Sequence, residues 1–199
     1  MTKVLTFKVE IEGLENKIWR KIEITDRRTV ADLAYSILAT FHSLAYHLYD
    51  IEYKNKFYDC WICIENDFRD VELVNAVITK LSDMNLKEND TMMMKYDTGA
   101  TNIFTITYLG ESEFIKGNGM HYPYIVGGAG YGMIDDITSE ELKEVVEDID
   151  RKGKSDYYAL YIDGRHSRIY DYRDFNLDEN NLYVRRFFQK IKHGYEDGE

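Results

Sequence analysis

The first forty residues change their hydrophobic period once, and that change constrains the fold more than any other feature. From Val4 to Glu12, Leu5, Phe7, Val9 and Ile11 alternate with polar residues, the period of two that marks a half-buried strand. "GLEN" turns the chain. Lys17 to Thr25 follows as a second strand, with Ile18, Ile22 and Ile24 on one face and Trp19, Lys21 and Glu23 on the other. In "TVADLAYSILATFHS" the period becomes helical: Val30, Leu33, Ala34, Ile37, Leu38 and Phe41 share one face. Thr29 and Asp32 resemble a capping arrangement at its start. A hairpin feeding a helix requires a mixed architecture.

Further strands are expected at 46–53, 57–64, 91–96 and 101–109, while "VELVNAVITKLSDMNL" fits a short helix or a turn-rich connection. Seven glycines fall between Gly110 and Asp136, where regular patterning stops, so 111–137 reads as a long loop, a type usually functional or mobile. A helix follows at Ser139–Ile149, with Thr138 and Glu141 as a capping box. Residues 155–172 fit either a hairpin turning at Asp163-Gly164 or a helix. A last helix begins near Asn176, with Leu177, Val184, Phe188 and Ile191 inward. These elements make a single α+β domain over 1–199: a β-grasp-like hairpin, helix and sheet in 1–110, the glycine-rich loop, and a mostly helical part at 138–199.

With 199 residues and 44% apolar content, the chain can bury a sizeable core. Lys+Arg 25 against Asp+Glu 36 leaves a net charge of -11, which disfavours nucleic acid, whose binding draws on lysine and arginine at phosphates. No apolar run approaches a membrane span and the N-terminus lacks a signal-peptide core, so a cytoplasmic location is expected.

Six segments in order, "IWRKIEI", "TVADL", "HLYDIEY", "LKENDTMMMKYDTG", "YPYIVGG" and "FNLDENN", resemble the plasmid pRiA4b ORF-3-like family, which includes passenger proteins of bacterial insertion sequences. The resemblance covers roughly residues 3–190. It implies the same α+β fold and no established reaction. It also implies an alternative role beside nucleic acid, as an accessory protein of mobile DNA. The family pattern Y-D-F-G-D, followed by a tryptophan and a histidine, is broken here. Tyr96, Asp97 and Gly99 match, but Thr98 and Ala100 replace the phenylalanine and second aspartate. Asn102, Ile103 and Phe104 stand where the tryptophan and histidine belong. Gly128, Gly130, Asp135 and Asp136 align with the family's second polar stretch, whose Cys-Pro-Pro is missing. His47 keeps the histidine-leucine pattern. Any polar or metal site built from these positions is expected to be degraded, and "YDTG" is expected to be an inherited turn.

The chemistry-bearing motifs are sparse. Cys60 and Cys63 have C-x-x-C spacing, but in a strand-like run they point to opposite faces, and no second pair completes a zinc site. Packed thiols are the plainer reading. "GGAGYG" lacks the lysine and serine or threonine of a phosphate loop, and its acidic approach to the next helix would repel phosphate. Arginine among aromatics in "YVRRFF" could stack bases, but also suits an ordinary helix surface. A metal centre from His47, His121 and the Asp135–Asp136 pair has suitable ligand types, yet that pair also suits a helix entry. The expectation is therefore no metal, no cofactor and no catalytic residues. The chain reads as a non-enzymatic module for a protein or small-molecule partner, with His47, Asp97, Asp135, Asp136 and Trp19 as ligand-binding candidates. Its docking face would be an aromatic sheet face with Trp19, Trp61 and Tyr96. A metal-dependent hydrolase using Asp97 and Asp135 is the remote alternative.

Overall fold

The computed structural model describes residues 1–59, 71–117, 121–160 and 166–197. The elements are β1 (Lys3–Ile11), β2 (Trp19–Thr25), α1 (Val30–Thr40), β3 (Tyr49–Tyr53), β4 (Lys56–Asp59), β5 (Glu72–Asn75), a 3-10 turn (Leu81–Met84), β6 (Thr91–Tyr96) and β7 (Asn102–Glu113). They continue with β8 (Tyr124–Ala129), α2 (Ser139–Lys152), β9 (Tyr158–Leu160), β10 (His166–Ile169) and α3 (Leu177–Glu196). Cys60, Trp61 and Cys63 lie outside the described residues.

Eight strands form one sheet in the order β5-β4-β3-β6-β7-β1-β2-β8. Among the described residues only the β4–β5 pair is parallel. β1 is antiparallel to both neighbours, β2 and β7. The α+β class is thus established, while the β-grasp likeness extends no further than the order hairpin, helix, sheet. β9 and β10 form a separate two-stranded antiparallel ribbon, so the described parts of 155–172 are paired strands and not a helix.

The alternation read in β1 and β2 holds, with Phe7, Val9, Ile11, Ile22 and Ile24 fully buried against α1. α1 itself is buried on every side, more than its single apolar face requires, because α3 lies across its back. The polar residues on that back are satisfied locally: Ser36 Oγ donates to the Asp32 carbonyl at 2.6 Å and Thr40 Oγ1 to that of Ile37 at 3.0 Å. Lys192 Nζ reaches the buried Asp32 carboxylate at 2.8 Å, and Tyr35 stacks on Tyr195 at 5.2 Å.

Residues 111–137 do not form one long loop. β7 runs on to Glu113, and β8 adds an edge strand to β2. Asn181 of α3 closes that edge: its side chain accepts from Ile125 N–H at 2.8 Å and donates to Ile125 C=O at 2.9 Å, occupying the groups a further strand would use.

Two glycines explain why this segment lacks a hydrophobic pattern. A Cβ on Gly130 would lie 2.5 Å from the Lys17 carbonyl oxygen, and one on Gly132 only 2.3 Å from that of Phe41. Backbone packs on backbone here, and only glycine permits it.

Among the described residues no helix is long and apolar enough to cross a membrane.

Candidate functional site

Arg20 is the residue that brings the site together. It sits in phase with Ile18, Ile22 and Ile24, so its side chain points into the core, where it is fully buried. Nε donates to Thr40 O at 3.0 Å, Nη1 to Trp19 O at 2.9 Å and Ala129 O at 2.7 Å, and Nη2 to Tyr131 O at 2.8 Å. The guanidinium also lies over Phe41 and Phe175. Its acceptors are carbonyl dipoles, and burial lowers its pKa to about 9. One side chain thereby ties β2, the C-terminal end of α1 and the segment 129–131 at the end of β8 together. Met133 N–H adds a bond to Phe41 O at 2.9 Å. The chain beyond Met133 is therefore delivered beside the loop that leaves α1.

Three segments meet there. His47 comes from the loop between α1 and β3. Asp97 directly follows β6, and Asp136 precedes the Thr138 cap of α2. His47 Nε2 lies 3.0 Å from Asp136 Oδ1 and 3.4 Å from Asp97 Oδ2. One ligand atom from each of the three lies within 4.8 Å of the other two. Asp97 and Asp136 both adopt left-handed backbone, with φ of 64° and 65°. The Asp97 side chain is 7% exposed, while that of Asp136 is 66% exposed. The cluster thus has a buried floor and an open mouth.

"YDTG" is a turn, as expected: Asp97 Oδ1 accepts from Gly99 N–H at 2.8 Å. It is not only a turn. The same carboxylate presents Oδ2 to His47, so the segment carries one wall of the cluster. Thr98 and Ala100, which stand in place of the family's phenylalanine and second aspartate, do not prevent this.

The adjacent aspartates do different things. Asp136 accepts from Tyr46 OH and His47, bonds that hold its pKa below the usual carboxylate range. Asp135 turns inward and accepts from Ser43 Oγ at 2.7 Å, Leu44 N–H at 2.9 Å and Tyr96 OH at 3.1 Å. Burial raises its pKa despite those bonds. Asp135 therefore fixes the loop that carries His47, and Asp136 faces the opening. Tyr46 packs its ring 4.3 Å from that of His47. Partial burial and then the Asp136 bond push its phenol up, keeping it a proton donor. Tyr195 of α3 holds the His47 carbonyl.

Trp19 does not join the cluster. It lies on the outer sheet face beneath Lys8 Nζ, 5.6 Å from the ring centre. Tyr96 is 1% exposed on the inner face, so Trp19 and Tyr96 share no docking face. Alternation in β2 and β6 places them on opposite sides of the sheet. His121 is exposed and belongs to no three-residue ligand group among the described residues. Residue patterns alone missed Tyr46, Ser43 and Arg20. Arg20 had a signal: a charge in register with three isoleucines.

The fold defines an α+β protein built on an eight-stranded, mostly antiparallel sheet, with an imidazole and two carboxylates gathered where α1, β6 and α2 approach one another. The chain belongs to the plasmid pRiA4b ORF-3-like family, whose model matches residues 3–179. Among solved structures it is similar to MM3350 from Methanosarcina mazei Go1, described as a protein of unknown function. Identity is 22%, the TM-score is 0.70, and the match covers 90% of this chain and 97% of that one. That likeness concerns the fold. No curated protein matches.

Proposed function

We propose that the chain is a binding module whose ligand is a divalent cation held by His47 Nε2, Asp97 Oδ2 and Asp136 Oδ1. The observation that carries this reading is the convergence of three ligand atoms from three distant segments within 4.8 Å. Metal–ligand distances of about 2.1 Å in a tetrahedral site put ligand atoms roughly 3.4 Å apart. The separations of 3.0 and 3.4 Å about His47 fit that spacing. Imidazole with carboxylate oxygen suits zinc or manganese better than a thiolate-seeking ion. Charge points the same way. Asp97, Asp135 and Asp136 lie close together, and among the described residues none has a lysine or arginine partner. Three protein ligands and the exposed Asp136 leave room for a further ligand from solution.

Titration of the chelator-treated protein with Zn²⁺ and Mn²⁺, followed by calorimetry and thermal melting, tests this. One equivalent is expected to bind and raise the melting temperature. His47→Ala or Asp97→Asn is expected to abolish both effects. No binding by the wild-type protein, or binding unchanged in both variants, sinks the proposal. Turnover of a phosphate ester or peptide by the loaded protein would replace the binding module with a hydrolase.

A further inference from the structure

The exposed face of α3 is a cationic stripe on an acidic protein. Leu182, Arg185, Arg186, Gln189, Lys190 and His193 are all exposed and recur at helical spacing. Arg185 and Arg186 stand apart from the other described arginines. Arg28, Arg151, Arg168 and Arg173 each meet an aspartate. Arg20 has its carbonyls and Arg27 has Thr2 Oγ1. Neither Arg185, Arg186 nor Lys190 has a carboxylate partner among the described residues, whereas the neighbouring Lys192 is taken by Asp32 and Glu196. Leu182 ends the stripe with its side chain 64% exposed.

The complementary surface lies on the same chain. Beside α2 runs a cleft of about 540 Å³, whose lining includes Glu144, Glu147, Asp156 and Tyr157 together with three cations, Arg151 and Lys152, both taken by Asp148, and Lys154. Glu144 and Glu147 are exposed, and neither has a cationic partner among the described residues. Tyr157 is 42% exposed, an apolar counterpart for Leu182. The spacing also agrees. Glu140, Glu144 and Glu147 repeat at four then three residues, as do Arg186, Lys190 and His193, although Glu140 also meets Lys143 and His193 meets Asp197 within the chain. On helices rising about 1.5 Å per residue, both rows run for about 10 Å.

We propose that this face is the docking surface for a second copy of the chain: two molecules pair about a two-fold axis, each placing its α3 stripe in the other's α2 cleft. A two-fold pair uses both surfaces of both copies and leaves neither row unmatched. An extended polyanion such as nucleic acid fits less well. It needs only cations and makes no use of Leu182 or of the acidic row on α2.

Sedimentation of the full chain in chelator tests the pairing without involving the cation site. The wild type is expected to dimerise at low ionic strength, with its dissociation constant rising at least about tenfold at high salt. Arg186→Glu/Lys190→Glu and Glu144→Lys/Glu147→Lys are each expected to be monomeric, because each makes its own contacts repulsive. All four positions are exposed, so melting temperatures stay near that of the wild type. Mixed, the two variants are expected to form a heterodimer, since one contact keeps native charges and the other has both signs reversed. A wild type monomeric at low salt overturns the proposal. So does a dimer indifferent to either double variant, a mixture that stays monomeric, or assemblies that grow past the dimer. A labelled oligonucleotide bound by wild type but not by Arg186→Glu/Lys190→Glu would assign the stripe to nucleic acid instead.

Discussion

Arg20 and the His47 cluster are both charge-unbalanced, and they resolve the imbalance in opposite ways. Arg20 is a cation with no carboxylate partner among the described residues, fully buried, yet its N–H groups meet four carbonyls in fixed directions. The His47 cluster is an excess of carboxylates at an open mouth, bridged by one imidazole. Backbone dipoles can saturate a cation because carbonyls are available wherever strands and helix ends converge. Nothing comparable saturates Asp136 once Tyr46 and His47 have bonded it. A saturated charge holds a fold together. An unsaturated one is available to a ligand.

The largest effect is expected from Arg20→Met. It leaves four carbonyls, two in buried and two in part-buried bonds, without that donor, and a loss of roughly 3–5 kcal/mol is expected in urea unfolding, enough to threaten folding itself. A variant as stable as the wild type would break the contrast, since Arg20 would then hold nothing together.

His42 extends the comparison along the same side. It is buried between Tyr131 and Tyr183, at ring distances of 4.5 and 4.4 Å, and bonds Asn180 through Nε2 at 3.0 Å. Burial, with the Arg20 charge second, lowers its pKa from 6.5 to about 3. The unfolded chain therefore takes up this proton first, and stability falls as pH drops from about 6.5 towards 3, by up to about 1.4 kcal/mol per pH unit. His42→Phe is expected to flatten the stability–pH curve in that window while costing about 1 kcal/mol at neutral pH for the lost hydrogen bond. An unchanged slope would assign the acid sensitivity to other groups.

Tyr46→Phe probes the open cluster. It removes the donor that orients Asp136, and cation affinity is expected to fall about tenfold in calorimetry with little change in the melting temperature of the free protein. A large drop in that temperature would make the cluster structural after all. Trp19→Ala is the smallest test. Although Trp19 adjoins Arg20, it lies on the outer face, and the expected change is within about 1 kcal/mol in urea unfolding, with cation binding untouched.

How far the sequence reached follows from which signals are local. Period two in β1 and β2, period 3.6 in α1 and the Thr138–Glu141 box are local, and the structure contains those elements. β8 was hidden because Gly127 and Gly128 within it, and Gly130 and Gly132 just beyond, look like a loop, although Gly128, Gly130 and Gly132 sit against backbone. Its place beside β2 is a pairing between residues about a hundred positions apart. His47 and Asp97 were visible as residues worth watching. That Asp136 faces His47 while Asp135 turns to Ser43 was not visible, since a left-handed residue in an irregular segment obeys no alternation. Asp97 reads as a turn residue because it is one, and its second carboxylate oxygen is free for another purpose.

Asn181 has a consequence for how this protein can go wrong. By holding both backbone groups of Ile125, it joins α3 to the rim of the sheet at β8. A strand from another chain cannot be templated there until α3 peels away, which also uncovers the back of α1. Fibre growth from that rim must therefore begin with a costly local opening, so at this edge of the sheet resistance to aggregation depends on the integrity of the last helix.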